Sequence, residues 1–166
     1  MTVRPFSFAA RALAGSPPAV TRVRFSLAAL FIVSCGFAAW SWLRPYAWAP
    51  DRAARCEIVE TLVTRDHTFF WVEVHLKITP GQTHDLRQPL FLALASGKKL
   101  DPADTTLGGI DGRGTTDLWV KFWLDRAEIE GPLDLHLNGG KLRVKNRIGV
   151  PSIENEAFRN FTTQRW

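Results

Sequence analysis

The clearest pattern along the chain is a strict alternation of apolar and polar residues in three short stretches: residues 71–78 (WVEVHLKI), 118–124 (LWVKFWL) and 133–137 (LDLHL). A repeat of two residues places alternate side chains on opposite faces of an extended chain, which is typical of half-buried antiparallel strands. Residues 56–63, 90–95 and 141–145 are weaker candidates for the same structure.

Turn signals separate these stretches: Pro80-Gly81, Ser96-Gly97, Asp101-Pro102, Asp111-Gly112, Gly131-Pro132 and Asn138-Gly139-Gly140. Asn and Gly tolerate positive φ angles, so residues 138–140 predict a tight hairpin. Six or seven short strands joined by such turns predict a mainly β fold, a small antiparallel immunoglobulin-like sandwich over residues 56–150. We expect the tail, residues 151–166, to pack its aromatic side chains on this sandwich, although residues 154–160 also fit a short helix.

A different pattern covers residues 25–43 (FSLAALFIVSCGFAAWSWL), where nineteen consecutive residues carry no charge. As a helix they extend ~28 Å, close to the hydrocarbon thickness of a bilayer. The segment therefore predicts a single transmembrane helix. Arginine precedes it and tryptophan lies at its other end, where indole rings prefer the headgroup level. We expect five side chains to anchor the helix at the membrane interface: Arg22, Arg24, Trp40, Trp42 and Trp48.

The excess of positive charge is confined to the amino-terminal part of the chain. Residues 1–44 contain five Arg and no acidic residue, and subtracting them from the totals leaves 16 basic and 16 acidic residues in 45–166. A basic flank beside an apolar segment is typical of a topology signal and of contact with anionic lipid. No basic stripe suited to nucleic acid is present.

The same charges predict the topology. A long following domain is exported with little regard to its charge, whereas a short Arg-bearing tail stays in the cytoplasm. We expect a cytoplasmic basic tail (1–24) and a spacer (44–55) that leads to a domain in the periplasm, with the helix in a bacterial inner membrane. The lipid bilayer is then one partner of the protein.

Three other interpretations of the amino-terminal region stay open. Residues 32–35 (IVSC) resemble a lipobox, in which Cys35 becomes the lipid-modified amino terminus. Residues 36–38 (GFA) offer small residues to a signal peptidase, whose cleavage releases the domain. Residues 1–24 carry Arg and no acid, as transit peptides do, although their three prolines interrupt an amphipathic helix.

The chain has two cysteines, Cys35 within the apolar segment and Cys56 beyond it. Their different depths argue against an internal disulfide. We expect Cys56 to be a small buried side chain in the first strand, with an intermolecular disulfide as the alternative.

The order of these features resembles a known family. An apolar anchor is followed by residues 69–79 (FFWVEVHLKIT), a Gly-containing loop at 101–114 (DPADTTLGGIDGRG), and the strands TTDLWVKFWL and PLDLHLNGGKLRVK. Over residues 56–146 this order is similar to the telokin-like immunoglobulin domains of bacterial membrane-tethered proteins of unknown function. The resemblance implies a fold and a side of the membrane, and it carries over no catalytic residue. The Cys…Trp…Cys framework of true immunoglobulin domains is missing.

No arrangement of chemically active residues points to a metal, a cofactor or an enzyme. Four histidines lack the spacing of zinc sites and are expected to be solvated: His67, His75, His84 and His136. Four aspartates share the Gly-rich loop but lack the spacing of a calcium loop: Asp101, Asp104, Asp111 and Asp117. Residues 108–114 lack the Lys-Ser/Thr pair of a phosphate loop, and no Ser or Cys comes with an evident base. We therefore expect no catalytic activity, no metal and no cofactor.

One group of residues predicts a binding surface: Trp71, Trp119, Lys121 and Trp123. By the alternation above, these residues lie on the side of their strands opposite the expected core. Large apolar side chains in such a position commonly mark interaction sites, with Trp as a frequent anchor. The alternative is that the tail aromatics cover them. We expect an accessory or structural protein that binds a protein partner, such as a membrane complex. A module that stacks a saccharide-like ligand on the Trp side chains is the alternative function.

Overall fold

The computed structural model describes residues 19–42, 46, 51–85, 87–111 and 114–166. The chain divides into two compact units, residues 1–43 and 44–166. The described part of the first unit is one helix, α1 (Ala19–Trp42), which begins six residues before the predicted segment. Two prolines directly precede Ala19, and proline is disfavoured in a helix interior, so the start of α1 fits the sequence. The predicted basic tail lies mostly outside the described residues.

The second unit is mainly β, as predicted. Its strands are β1 (Cys56–Asp66), β2 (Phe69–Ile78), β3 (Phe91–Leu94), β4 (Lys99–Leu100), β5 (Asp104–Asp111), β6 (Gly114–Asp125), β7 (Leu133–Leu137), β8 (Gly140–Lys145) and β9 (Phe158–Phe161). They form a five-stranded sheet in the order β5-β6-β2-β1-β9 and a four-stranded sheet in the order β4-β3-β7-β8. Every strand pair is antiparallel.

The core lies between the inner faces of these two sheets. In β2, β6 and β7 every second residue is buried, which is the alternation that the sequence predicted. Five side chains predicted to point inward have no exposed surface: Val74, Leu76, Val120, Phe122 and Leu135. Apolar burial of this kind is the main force that holds two sheets together.

Two segments differ from the sequence-based prediction. The Gly-rich segment expected to be a loop forms strand β5 over Asp104–Asp111, because it pairs along β6, with Thr105 opposite Val120 and Leu107 opposite Leu118. The tail does not form the short helix that residues 154–160 allowed. Residues 158–161 are instead the edge strand β9 beside β1, so the five-stranded sheet extends beyond the expected limit at residue 150.

The predicted hairpin at residues 138–140 is present and joins β7 to β8. Asn138 and Gly139 both have positive φ angles, 53° and 81°. Asn138 is buried, its Nδ2 donates to the backbone oxygen of Ala54 at 2.6 Å, and its Oδ1 accepts from the backbone N–H of Asp85 at 2.7 Å. A Cβ on Gly140 would collide with the backbone of Ala54. The hairpin therefore holds the segment before β1 against the four-stranded sheet.

At the opposite end of the two sheets, a buried lysine, Lys145, joins two loops by hydrogen bonds. The register of β7 and β8 shifts near Lys145, so that Val144 and Lys145 are both buried. Two consecutive inward side chains are characteristic of a β-bulge. Lys145 Nζ lies 2.8–3.1 Å from four backbone oxygens, which belong to Ile129, Glu130, Gly131 and Gly149. One ammonium group thus connects the β6–β7 and β8–β9 loops.

Candidate functional site

The register of β2 and β6 brings the predicted binding residues onto one surface, the outer face of the five-stranded sheet. Trp71 lies opposite Trp123, and Lys121 lies opposite Glu73. Trp119 lies one pair further along the same strand, opposite His75. All four predicted residues therefore share a face, but they do not form one cluster.

This face carries an aromatic strip, which we define as Phe69, Trp71, Trp123 and Phe158. The rings of Phe69 and Trp123 are stacked with centroids 4.2 Å apart, and the Trp71 and Trp123 rings are 6.2 Å apart. Trp123 is 48% exposed and Phe158 is 70% exposed. Phe158 lies opposite Thr64, which itself lies opposite Trp71, so the strip crosses β6, β2, β1 and β9. The tail therefore leaves the rings of Trp123 and Phe158 largely exposed.

Two members of the strip were missed from the sequence. Phe69 has the same parity along β2 as Trp71, so extending the alternation by two residues would have found it. Phe158 had no local signal, because its position depends on the pairing of β9 with β1.

Lys121 lies against the strip. Its Nζ is 4.9 Å from the centre of the Trp71 ring, within the range of a cation–π interaction. The ring of Trp71 is thus covered in part by the alkyl chain and the charge of Lys121. Trp71 is half-buried, whereas Trp123 offers the larger open surface.

Trp119 belongs to a second, polar cluster on the same face. Its ring stacks on His75 with centroids 4.5 Å apart and an interplanar angle of 9°. It also lies over Gly108, where a Cβ would come within 2.6 Å of the indole. These contacts leave Trp119 only half-exposed, so it is a packed side chain and not part of the strip.

Carboxylates surround the His75 ring. The Nε2 atom is 2.9 Å from Asp117 Oδ1, and Nδ1 is 3.7 Å from Glu60 Oε1. Asp117 also accepts a hydrogen bond from the Thr116 hydroxyl at 2.6 Å. This bond, and then the one from His75, hold the pKa of Asp117 below its ordinary value.

Within the described residues, no group of three or more His, Cys, Asp or Glu side chains is arranged so that it could hold a metal ion. His67 is paired with Asp66 and His84 with Asn138, each at 2.9 Å. His136 stacks on Phe91 with centroids 4.7 Å apart. His67 is exposed, as expected, whereas the other three histidines are half-buried against these partners, which corrects the expectation that all four are solvated.

Comparison with known proteins identifies no relative of the chain. No family profile, no curated protein and no solved structure matches the chain. The resemblance to telokin-like immunoglobulin domains therefore stays a prediction, and the candidate site rests on its own geometry.

Two small clefts lie on the part of the surface that the structure describes. A polar cleft of about 220 Å³ lies between β1 and β8, lined by Tyr46, Asp51, Glu57, Lys141 and Arg143 among others. Pockets for small molecules usually measure ~300–1,000 Å³ and are mostly apolar. This cleft is smaller than such pockets, so the aromatic strip is the better candidate for a binding surface.

Cys56 is buried, with 1% of its surface exposed. Burial raises the pKa of its thiol to about 11, so the unreactive protonated form dominates at neutral pH. The side chain therefore fits the interpretation of Cys56 as a small core residue. It is a poor candidate for an intermolecular disulfide.

The predicted membrane anchors are described in part. Arg24 is exposed, and Trp40 is 50% exposed with its ring 5.8 Å from that of Phe37. Arg22 and Trp42 belong to α1, but their side chains, like the whole of Trp48, lie outside the described residues. Within the described residues, Val23–Ser41 is the one helical stretch long and apolar enough to cross a membrane. A signal sequence passes the same test.

Proposed function

We propose that the chain is a membrane-anchored accessory or structural protein that binds a protein partner outside the cytoplasm. In this proposal α1 spans the membrane of a bacterial cell with its amino terminus inside, and the two sheets form an immunoglobulin-like sandwich in the periplasm. The observation that carries the proposal is the aromatic strip on the outer face of the five-stranded sheet.

The strip supplies part of the apolar surface that a binding site needs. A large aromatic side chain can bury ~200 Å², so the exposed parts of Trp123 and Phe158 amount to ~240 Å². Covering this area contributes up to ~6 kcal/mol at ~25 cal/mol per Å². Association itself costs several kcal/mol, so we expect the surrounding contacts to contribute as well.

The shape of the strip favours a protein over a saccharide. Phe69 covers one face of the Trp123 indole, and His75 covers one face of Trp119. Trp123 keeps one open face, but the rings of the strip are spread over β6, β2 and β9, and such dispersed aromatic side chains are frequent anchors of protein interfaces. Saccharide binding nevertheless remains the second candidate, because Lys121 and Glu73 provide polar groups in the row beside the open side of Trp123.

The anchoring part of the proposal rests on the sequence and on α1. The helix is uncharged over the length of a bilayer, and its basic flank fits the cytoplasmic side. Adding protease to intact spheroplasts tests this part, because an exported domain is digested. Full protection of residues 44–166 would refute the periplasmic location.

Extraction of the full chain in mild detergent, followed by sizing, tests the binding surface. We expect the wild type to co-purify with a partner in a fixed ratio, and Trp123→Asp to lose that partner. Leu107→Asp is the matched control, because Leu107 is also about half-exposed (50%) but lies outside the strip. A wild type without any partner, or an equal loss in both variants, would contradict the proposal.

Glycan arrays separate the two candidates. Binding to the array that disappears in Trp123→Ala and persists in Leu107→Ala favours the saccharide function. No binding on a broad array leaves the protein partner as the better explanation.

A further inference from the structure

The two outer faces of the sandwich carry opposite charge. The register places seven carboxylates on the outer face of the five-stranded sheet: Glu57, Glu60, Asp66, Glu73, Asp104, Asp117 and Asp125. The same face has two lysines, Lys77 and Lys121. We call it the acidic face, and the aromatic strip lies across it.

The outer face of the four-stranded sheet has the opposite balance. It carries Lys99, Lys141 and Arg143 against one carboxylate, Asp134, with which both Lys141 and Arg143 form ion pairs, so the face keeps an excess of two positive charges. We call it the basic face. Residues 45–166 contain equal numbers of acidic and basic residues, so the domain is neutral as a whole. The strand residues nevertheless give one outer face an excess of negative charge and the other an excess of positive charge.

The basic face also has an aromatic centre. Phe91 stacks on His136, and Lys99 Nζ lies 4.7 Å from the centre of the Phe91 ring. Each outer face therefore combines aromatic rings with charged groups, and the charges of one face complement those of the other. Complementary potentials of this kind guide association and set which surfaces meet.

We infer that the partner of the acidic face is a second copy of this chain, which docks with its basic face. This inference rests on the proposed function, because it assigns an occupant to the surface that the proposal treats as a binding site. The chain needs no other molecule to supply a positively charged, aromatic counterpart. A basic unrelated protein is the competing occupant.

The contact would join different surfaces on the two copies. An interface between unlike surfaces leaves one acidic and one basic face free in a dimer, so further copies can add in the same way. The four-stranded sheet limits the contact area, because its strands are only two to six residues long. We therefore expect a weak association that depends on salt.

Analytical ultracentrifugation of the full chain in detergent micelles tests the inference. We expect dimers and larger species at ~50 mM NaCl, and at least tenfold weaker association at ~500 mM NaCl, where screening is strong. Trp123→Arg impairs the acidic face, and the double substitution Lys99→Glu with Lys141→Glu impairs the basic face. Circular dichroism melts check that each variant folds. Phe158→Arg replaces Trp123→Arg if the latter unfolds.

Mixing the two variants gives the decisive result. Each variant alone is expected to be monomeric, and an equimolar mixture is expected to form a dimer that does not grow, because only one intact pair of faces remains. Self-association of the Lys99→Glu, Lys141→Glu variant alone would overturn the inference, since it would point to contact between like faces or through α1.

Two further outcomes also overturn it: a wild type that is monomeric at both salt concentrations, or a mixture that stays monomeric. The proposed function is judged separately by the partner lost in Trp123→Asp. If a different protein is lost there while the wild type does not self-associate, the inference fails and the proposed function stands.

Discussion

Replacing the buried Lys145 by Met is the sharpest test of the packing described above. Met keeps most of the aliphatic chain and removes the ammonium group, whose Nζ lies 2.8–3.1 Å from the backbone oxygens of Ile129, Glu130, Gly131 and Gly149. These oxygens belong to the backbone, so no compensating side-chain change removes them. The substitution therefore leaves a group of acceptors without its donor.

The expected loss follows from the number and burial of these acceptors. An unsatisfied buried acceptor costs ~1–3 kcal/mol, and hydrogen bonds to a charged group are stronger than neutral ones. Three of the four bonds are only partly buried, so water can replace some of them. We expect Lys145→Met to lower the free energy of unfolding by ~3–5 kcal/mol, a large part of the ~5–15 kcal/mol typical of a domain.

Urea unfolding of residues 44–166 at pH 7 measures this loss. Burial lowers the pKa of Lys145 to about 8, so the ammonium form still dominates at that pH. Lys141→Met is the control, because Lys141 lies on the same strand but is exposed. A loss below ~1 kcal/mol, or one equal to that of the control, would show that the four oxygens do not depend on Lys145.

Three further predictions concern the core, a glycine and an acid. Phe122→Ala should cost ~3–5 kcal/mol in urea unfolding because Phe122 is fully buried, while Lys121→Ala on the outer face should cost less than ~1 kcal/mol; equal losses would mean that β6 is misassigned. Gly140→Ala should lower stability by ~1–3 kcal/mol in the same assay, because the added Cβ meets the backbone of Ala54. Two backbone N–H groups lower the pKa of Asp51, so stability from its ionised form is present above its unfolded pKa and is lost as the pH falls through the lower folded value. The stability difference between wild type and Asp51→Asn should therefore be widest above pH ~4 and close in more acidic urea titrations; a difference independent of pH would contradict this.

Strands whose residues alternate between apolar and polar could be predicted from the sequence. Strands that lack this alternation, and form only because they pair with a neighbour, could not. β2, β6 and β7 alternate so regularly that their buried faces follow from the residues alone. β5 contains Gly108-Gly109, which is a turn signal when considered locally, and only its pairing with β6 makes it a strand. β strand preference depends strongly on such context.

The same distinction explains why the burial of Lys145 could not be predicted from the sequence. Counting from Leu142 and Val144, which point inward, a regular strand would place Lys145 outside with Lys141 and Arg143. The register shift opposite Leu133 turns it into the core instead. A bulge adds one residue to a strand, so the side chains beyond it point to the opposite faces of the sheet. No local pattern in β8 predicts this bulge.

Within the candidate site, the sequence predicts that the tryptophans share one face of the sheet. It does not predict that they divide into the aromatic strip and the separate cluster of Trp119 and His75. Alternation alone places Trp119 and Trp123 on the same side of β6. Their exposure differs because His75 stacks on Trp119 and Phe69 stacks on Trp123, contacts that depend on the register of β2 against β6. The open space above Gly108, which admits the Trp119 indole, depends in turn on the position of β5.

The carboxyl-terminal tail connects the aromatic strip to the core. Phe158 lies on the outer side of β9, while Phe161 lies on the inner side and stacks on Trp166 with centroids 4.4 Å apart. The Trp166 indole N–H donates to the hydroxyl of Tyr46, whose pKa burial raises above its ordinary value, so the hydroxyl stays protonated at neutral pH. A four-residue edge strand has few backbone bonds of its own. Phe161, Trp166 and Tyr46 therefore stabilise the position from which Phe158 extends the strip, and the proposed binding surface depends on residues from both ends of the domain.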